Sequence, residues 1–341
     1  MVRIHVWGVG PEAPPTIELA QILLKAEPGG ESGWSRRFAP LRDAIGKEFH
    51  SASREEADLF IYGRYYEFGA QTKEMAETAA RRGVPCLFFK WGDDPAPPVV
   101  PWGILVRHSI LSGRRLANEM AAPAYCDDLL NDSGGAVPEL AFSKTPRLGF
   151  CGYTSTMTLR LIYRLCGRVR KAEGLALRAG LLRILERSPG ITCDFQPQRN
   201  FTGPEKGLVK NAPETEQLAR RQFLESILRN DYTLCVRGAG NFSYRFYETL
   251  AAGRVPLFIN TDCVLPYDDE IDWRKHCVWV EKSEMSRAGE ILAEFHSRQT
   301  PDSMRAMQLA NRRLWQEYLT PLTFYRNLFR KFMRAKPMRQ A

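Results

Sequence analysis

Short runs of Val, Ile, Leu and Phe alternate along this chain with longer helix-patterned stretches, and that alternation constrains the fold more than any other feature. A strand buried on both faces reads as a continuous apolar run, and such strands pair in parallel through crossover helices. In the first half the runs are Arg3–Trp7, Asp58–Tyr62, Val84–Lys90 and Ile104–Arg107. A helix over Lys73–Arg82 is closed by Gly83, and Pro85 opens the next strand. In the second half strands fall at Arg147–Cys151, Ile191–Phe195, Tyr232–Val236, Val255–Ile259 and Cys277–Val280. Helices fall near Thr158–Glu173, Glu214–Arg229, Ser243–Ala252, Arg287–His296 and Met304–Tyr318.

A chain of 341 residues exceeds one ordinary core and suits two. The small, polar, proline-punctuated stretch Asn131–Pro146 reads as the linker between them. The expected fold is α/β, with two Rossmann-like domains facing across a cleft. Residues 1–140 form the acceptor-binding domain, 147–300 the donor-binding domain, and 301–341 a C-terminal helix and basic tail. Ligands of doubly wound sheets sit at the carboxyl ends of the strands.

Composition narrows the class. Hydrophobic residues are 44% and charged residues 26%, the balance of a globular enzyme. No apolar run approaches the roughly 20 residues of a membrane span. The start, MVRIHVWGVG, lacks signal-peptide features and reads as a first strand, so a cytoplasmic location is expected. Eight dispersed cysteines without a CxxC pair point to reduced thiols, and five histidines without ligand spacing point away from zinc. The net charge of +9 calls for anionic partners: nucleotide diphosphates, lipid phosphates or nucleic acid.

Chemistry concentrates between Leu234 and Trp273 (LCVRGAGNFSYRFYETLAAGRVPLFINTDCVLPYDDEIDW). A buried strand ends at Val236 and opens into Arg237-Gly238-Ala239-Gly240, a loop lean enough for backbone amides to approach a ligand. Asn241 or Ser243 can cap the following helix, whose start favours phosphate oxygens. Arg237 and Arg245 add bidentate cationic donors. Glu248 shares a helix face with Arg245 and is suited to accept hydrogen bonds from ribose hydroxyls. Asp262, at a strand's carboxyl end, is within reach of sugar hydroxyls. Structural readings stand beside these: an ion-pair cluster for Arg237, Arg245 and Glu248, and a turn cap for Asp262.

In the order Arg237-Gly238, Ser243, Arg245, Glu248, Ala251, Gly253, Val255-Pro256, Asp262, Leu265-Pro266 and Asp272-Trp273, the chain resembles the exostosin-like glycosyltransferases. A weaker likeness covers Arg147–Arg160 (RLGFCGYTSTMTLR), where Gly152 and Arg160 match the family's glycine loop and arginine. The resemblance implies a GT-B fold and sugar transfer from a nucleotide donor, usually with inversion. It places Arg237, Gly238, Ser243, Arg245, Glu248, Asp262, Gly152 and Arg160 at the donor. Two departures are the lack of an N-terminal membrane anchor and Arg254 in place of the more usual cysteine after Gly253. Phe88–Leu116 is faintly similar to the fucosyltransferases of the same fold.

The expected catalytic residues are Arg245 and a general base, Asp93, which follows the strand Val84–Lys90. Trp91 and Trp102 would desolvate its carboxylate and raise its pKa. Asp94 and Glu67 remain alternatives. No Asp-x-Asp triplet occurs, so arginines and a helix dipole, with no divalent metal or other cofactor, would hold the diphosphate. Tyr153, Thr154 and Ser155 either contact the donor or cap the next helix.

The partners expected are a nucleotide-sugar donor and a glycan or glycolipid acceptor, with no nucleic acid. The tail PLTFYRNLFRKFMRAKPMRQA supports peripheral contact with an anionic membrane or, equally, a last helix crossing back onto the first domain. The rival class is a basic nucleotide- or nucleic-acid-binding α/β protein without transferase activity. A pseudo-enzyme is a third reading, disfavoured by intact Arg245 and Glu248.

Overall fold

A computed structural model describes residues 1–10, 12, 15–24, 41–64, 69–96, 103–154, 156–198 and 213–334. The chain divides into two compact units. The first holds residues 1–123, 264–267 and 317–341, and the second 124–263 and 268–316. Among the described residues no helix is long and apolar enough to cross a membrane.

In the first unit the strands are β1 (Val2–Trp7), β2 (Phe49–Ser51), β3 (Leu59–Tyr62), β4 (Cys86–Lys90), β5 (Ile104–Arg107) and β6 (Glu119–Ala121). They form one sheet in the order β2-β1-β3-β4-β5-β6, and each described pairing is parallel. Helices α1 (Glu18–Leu23), α2 (Arg42–Glu48) and α3 (Ala70–Arg82) connect the strands. Strands β3, β4 and β5 are apolar up to Lys90 and Arg107 at the ends of β4 and β5, because the sheet centre is covered on both faces. One core gathers Trp7, Phe60, Tyr62, Met75, Phe88 and Leu105. Helix α3 ends where expected: Gly83 takes φ 67° and its amide bonds back to the helix, the left-handed cap that a side chain resists. Strands β2 and β6 have three residues each and lie at the sheet edges, too short to show an apolar pattern in the sequence.

The second unit has β7 (Arg147–Tyr153), β8 (Thr192–Gln198), β9 (Tyr232–Cys235), β10 (Val255–Asn260) and β11 (Val278–Glu281). Their order is β11-β10-β9-β7-β8, again with parallel pairings. The helices are α4 (Met157–Leu165), α5 (Val169–Glu186), α6 (Pro213–Leu228), α7 (Tyr244–Ala251), α8 (Ala288–Ser297) and α9 (Pro301–Leu314). Leu148, Phe150, Leu234, Val236, Leu257, Ile259, Leu182, Leu185 and Leu292 share its core. A single helix expected over Thr158–Glu173 is two. Gly167 at φ 72° breaks it, and α5 then runs 18 residues, to Glu186.

The proline-punctuated stretch 131–146 lies within the second unit. Arg305 reaches the Val137 carbonyl at 3.0 Å, and Arg312 meets Asp128 at 2.8 Å. Arg254, fully buried, donates to the carbonyls of Leu228 and Pro138 at 2.9 and 3.1 Å. Burial pulls its pKa down to about 10, with Arg305 adding repulsion. The residue that departs from the family pattern is therefore a structural tie.

Residues 317–341 belong to the first unit. Helix α10 (Pro321–Arg334) buries Phe324, Tyr325, Leu328 and Phe329, each at 1% exposure or less. Phe329 meets Phe49 edge-on at 5.1 Å between ring centroids. Arg326 Nε donates to Glu48 Oε2 at 2.8 Å and holds that carboxyl below its usual range. The apolar stripe is thus spent on the core of the first unit, as the reading of a last helix packed on the first domain expects. Residues 335–341 lie outside the described residues.

Candidate functional site

In the second sheet the chain moves from β7 outward to β8, then returns to the other side of β7 for β9, β10 and β11. The strand order reverses between β7 and β9, and ligands of doubly wound sheets bind outside the carboxyl ends of strands at such a point. Here those ends are Gly152–Thr154 and Val236–Asn241.

Arg245 stands on the first turn of α7. Its Nη2 donates to the Cys151 carbonyl at 2.6 Å, and its guanidinium carbon lies 4.5 Å from the Phe150 ring centroid and 5.7 Å from that of Phe223. This placement needs Gly152, since a Cβ there would come within 2.1 Å of Arg245 Nη2. Arg178, on α5, donates from Nη1 to the Tyr153 carbonyl at 3.2 Å. Burial pulls its pKa down to about 9, and the charges of Arg245 and Arg237 add to the fall. Arg237 donates to the Gly238 carbonyl at 3.2 Å and meets Glu173 at 3.5 Å.

Three guanidinium groups thus collect at the switch point. Among the described residues the carboxylate paired with them is Glu173 alone, on Arg237. The Nε atoms of Arg178 and Arg245 are buried without a hydrogen-bond partner. An unsatisfied buried donor costs roughly 1–3 kcal/mol, more when charged, so the cluster carries positive charge that the described residues leave largely uncompensated.

The loop after β9 packs at backbone distance on α5. A Cβ on Gly174 would lie 2.1 Å from the Gly238 carbonyl oxygen, and one on Gly238 would lie 3.3 Å from Arg178 Nη2. Ser243 occupies the N-cap of α7 but its side chain makes no capping bond. Asn241 does not cap either: it donates to the Asp262 carbonyl at 2.9 Å and accepts from Thr261 at 2.8 Å, tying the β9 loop to the end of β10. Thr156 caps α4 by accepting from the Leu159 amide at 3.3 Å.

Glu248 is half-buried one turn beyond Arg245. It adds to the burial that pushes the Cys235 thiol up to about 12, so it borders the end of β9. Asp262 is exposed, with φ 65°, directly after β10. Asp and Asn are the side-chain-bearing residues that tolerate this conformation best. Arg160 sits half-buried on α4.

In the first unit Asp93 is exposed in the turn after β4, and its carbonyl accepts from Ser109 at 3.2 Å. The expected desolvation by Trp91 lacks its premise: the carboxylate faces solvent, and the Trp91 ring is stacked on His108 at 4.2 Å. Asp94 caps the turn through the Ala96 amide at 3.0 Å and pairs with Lys90 at 3.3 Å. Glu67, Trp102 and Ser155 lie outside the described residues.

Arg178 and Gly174 escaped the sequence reading. The signal for them was a glycine and an arginine inside a helical stretch, where an isolated glycine marks close packing.

Residues 166–295 match the Exostosin GT47 domain family. In this stretch the chain is similar to an exostosin-like glycosyltransferase domain. It contains Arg178, Arg237, Gly238, Ser243, Arg245, Glu248 and Asp262, whereas Gly152 and Arg160 precede it. The chain is similar to exostosin-1 of Drosophila melanogaster, 27% identical over 99 residues, which are 29% of this chain and 12% of that protein. It is also similar to the probable glucuronosyltransferase 47 A of Physcomitrium patens, 31% identical over 99 residues, 29% of this chain and 22% of that protein. The aligned stretch therefore spans less than a quarter of either relative. Among solved structures, a glycosyltransferase from Rickettsia africae ESF-5 superposes with TM-score 0.41 and 11% identity, over 97% of this chain and 98% of that one. MurG of Acinetobacter baumannii superposes with TM-score 0.34 and 11% identity, over 97% and 100%.

Proposed function

We propose that the protein is an inverting, metal-independent GT-B glycosyltransferase that moves a sugar from a nucleotide-diphosphate donor to a glycan or glycolipid hydroxyl, in polysaccharide or glycoconjugate assembly. The observation that carries this reading is the cluster of Arg178, Arg237 and Arg245, with two buried Nε donors unmet, at the switch point of an exostosin-like sheet. The donor diphosphate supplies the charge the cluster lacks. As the bond from the anomeric carbon to the diphosphate oxygen breaks, negative charge grows on that oxygen and the three guanidinium groups stabilise it. Glu248 accepts from the ribose, and Asp262 from the sugar. The acceptor hydroxyl loses its proton to a carboxylate and attacks from the opposite face.

The test is a thermal-shift titration with UDP, GDP, CMP and dTDP in buffer containing EDTA. At a hundredfold its dissociation constant, the right nucleoside diphosphate stabilises by about 2.7 kcal/mol. Glu248→Ala weakens its binding by about 1.5–3 kcal/mol. Silence from every nucleotide with strong shifts from oligonucleotides favours the nucleic-acid reading, and nucleotide binding or transfer that appears only with Mn²⁺ or Mg²⁺ rejects metal independence.

Asp93 is the proposed base, at the carboxyl end of a central strand of the first unit. Asp93→Asn is expected to leave nucleotide binding intact while transfer falls by about 10²–10⁴-fold. Wild-type transfer in that variant, with collapse in Asp94→Asn or Glu67→Gln, moves the role to the other acid.

A further inference from the structure

Helix α4 and the turn after it carry an unusual concentration of exposed apolar side chains. Met157 is 75% exposed, Leu161 57%, Ile162 47%, Leu165 79% and, past the Gly167 turn, Val169 45%. Positions 157, 161 and 165 repeat every four residues and Ile162 adjoins them, so these side chains share one helix face. The opposite face attaches the helix to its unit. There the Tyr163 hydroxyl meets the Tyr153 hydroxyl at 2.9 Å, and Lys171 lies 4.6 Å from the Tyr163 ring centroid. No residue of α4 is buried.

The charge carried by α4 and the turn after it has one sign. From Arg147 through Ala172 the sequence contains no Asp or Glu, while Arg160 and Arg164 stand on α4 itself and Arg168 follows it in the turn. A contiguous apolar face of this kind marks an interaction surface. Nucleic acid would match the arginines but leave the aliphatic side chains without a partner. An anionic lipid interface takes both, with apolar side chains at the acyl boundary and guanidinium groups among the headgroup phosphates.

We propose that α4 seats this protein on an anionic membrane surface. The inference is independent of the transferase reading. It also assigns membrane contact to an element other than the C-terminal helix, whose apolar stripe is buried.

The test is sedimentation of the full chain with vesicles of phosphatidylcholine alone and of phosphatidylcholine mixed with phosphatidylglycerol. Wild type is expected to bind the mixed vesicles at least about tenfold more tightly than the neutral ones, and less as salt rises. The double variant Leu161→Glu, Leu165→Glu should lose at least about tenfold in binding with its melting temperature unchanged, since both side chains are exposed. Arg164→Glu with Arg168→Glu should lose the preference for anionic vesicles, and Leu309→Glu, exposed elsewhere on the second unit, should bind as wild type. The proposal is overturned if wild type ignores the anionic vesicles or if the leucine double variant binds them undiminished. It is also overturned if wild type fails to bind vesicles but forms a dimer that the double variant breaks, which would give the face to a second copy of this chain.

Discussion

Arg245→Ala is expected to lower turnover by about 10²–10³-fold, the usual loss when one donor to a developing oxyanion is removed. Its affinity for the intact nucleotide-sugar should change far less, because the diphosphate gains its leaving-group charge only as the bond to the sugar breaks. The geometry supplies a companion test. Arg245 is held between the Phe150 ring and the Cys151 carbonyl, over a gap that exists because residue 152 is glycine. In Gly152→Ala the new Cβ meets the far end of a flexible side chain, so the arginine moves and the strand survives. That variant should keep a near-normal melting temperature and lose most of the turnover that Arg245→Ala loses. Gly174→Ala is a contrasting control, because its Cβ would meet the Gly238 backbone and disturb the loop itself. Steady-state kinetics with circular dichroism on the three variants decides the matter. Wild-type turnover in folded Arg245→Ala would remove this arginine from the reaction.

The largest loss of stability is expected from Glu119→Ala. Arg107 and Glu119, at the carboxyl end of β5 and the start of β6, have side chains only 1% and 0% exposed, with Nη2 and Oε1 2.9 Å apart. Glu119 also accepts from the Leu116 amide at 3.1 Å. Removing the carboxylate leaves a guanidinium buried without its counter-charge, which costs about 3–5 kcal/mol. Replacing both members by apolar residues, Arg107→Met with Glu119→Leu, should recover much of that loss, since neither charge then has to leave water. Denaturant unfolding monitored in the first unit measures both. A loss below about 1 kcal/mol in Glu119→Ala would show that the pair is not the electrostatic tie its burial indicates. Arg107 also donates to the Pro95 carbonyl at 2.8 Å, so the pair steadies the turn that carries Asp93.

What was legible in the sequence depended on how local the cause was. The strands that became β4, β5 and β9 are apolar on both faces, a composition that leaves few alternatives to the centre of a parallel sheet. Gly83 announced the end of α3 because a left-handed cap is a property of one residue. Arg237, Gly238, Ser243, Arg245 and Glu248 could be grouped because one strand–loop–helix unit carries them all. The tertiary structure decided what depends on distant chain. Arg178 reaches the switch point from α5, and its role follows from the Tyr153 carbonyl, the missing Cβ of Gly238 and the neighbouring charge of Arg245. The same limit applied to the two amphipathic helices. Periodicity identified a stripe on α10 but not its partner, which Phe49 and the core of the first unit supply. The stripe on α4 was hidden inside a longer expected helix until Gly167 divided it. A sequence records which face of a helix is apolar, but whether water, protein or another surface meets that face is settled only when the rest of the chain is in place.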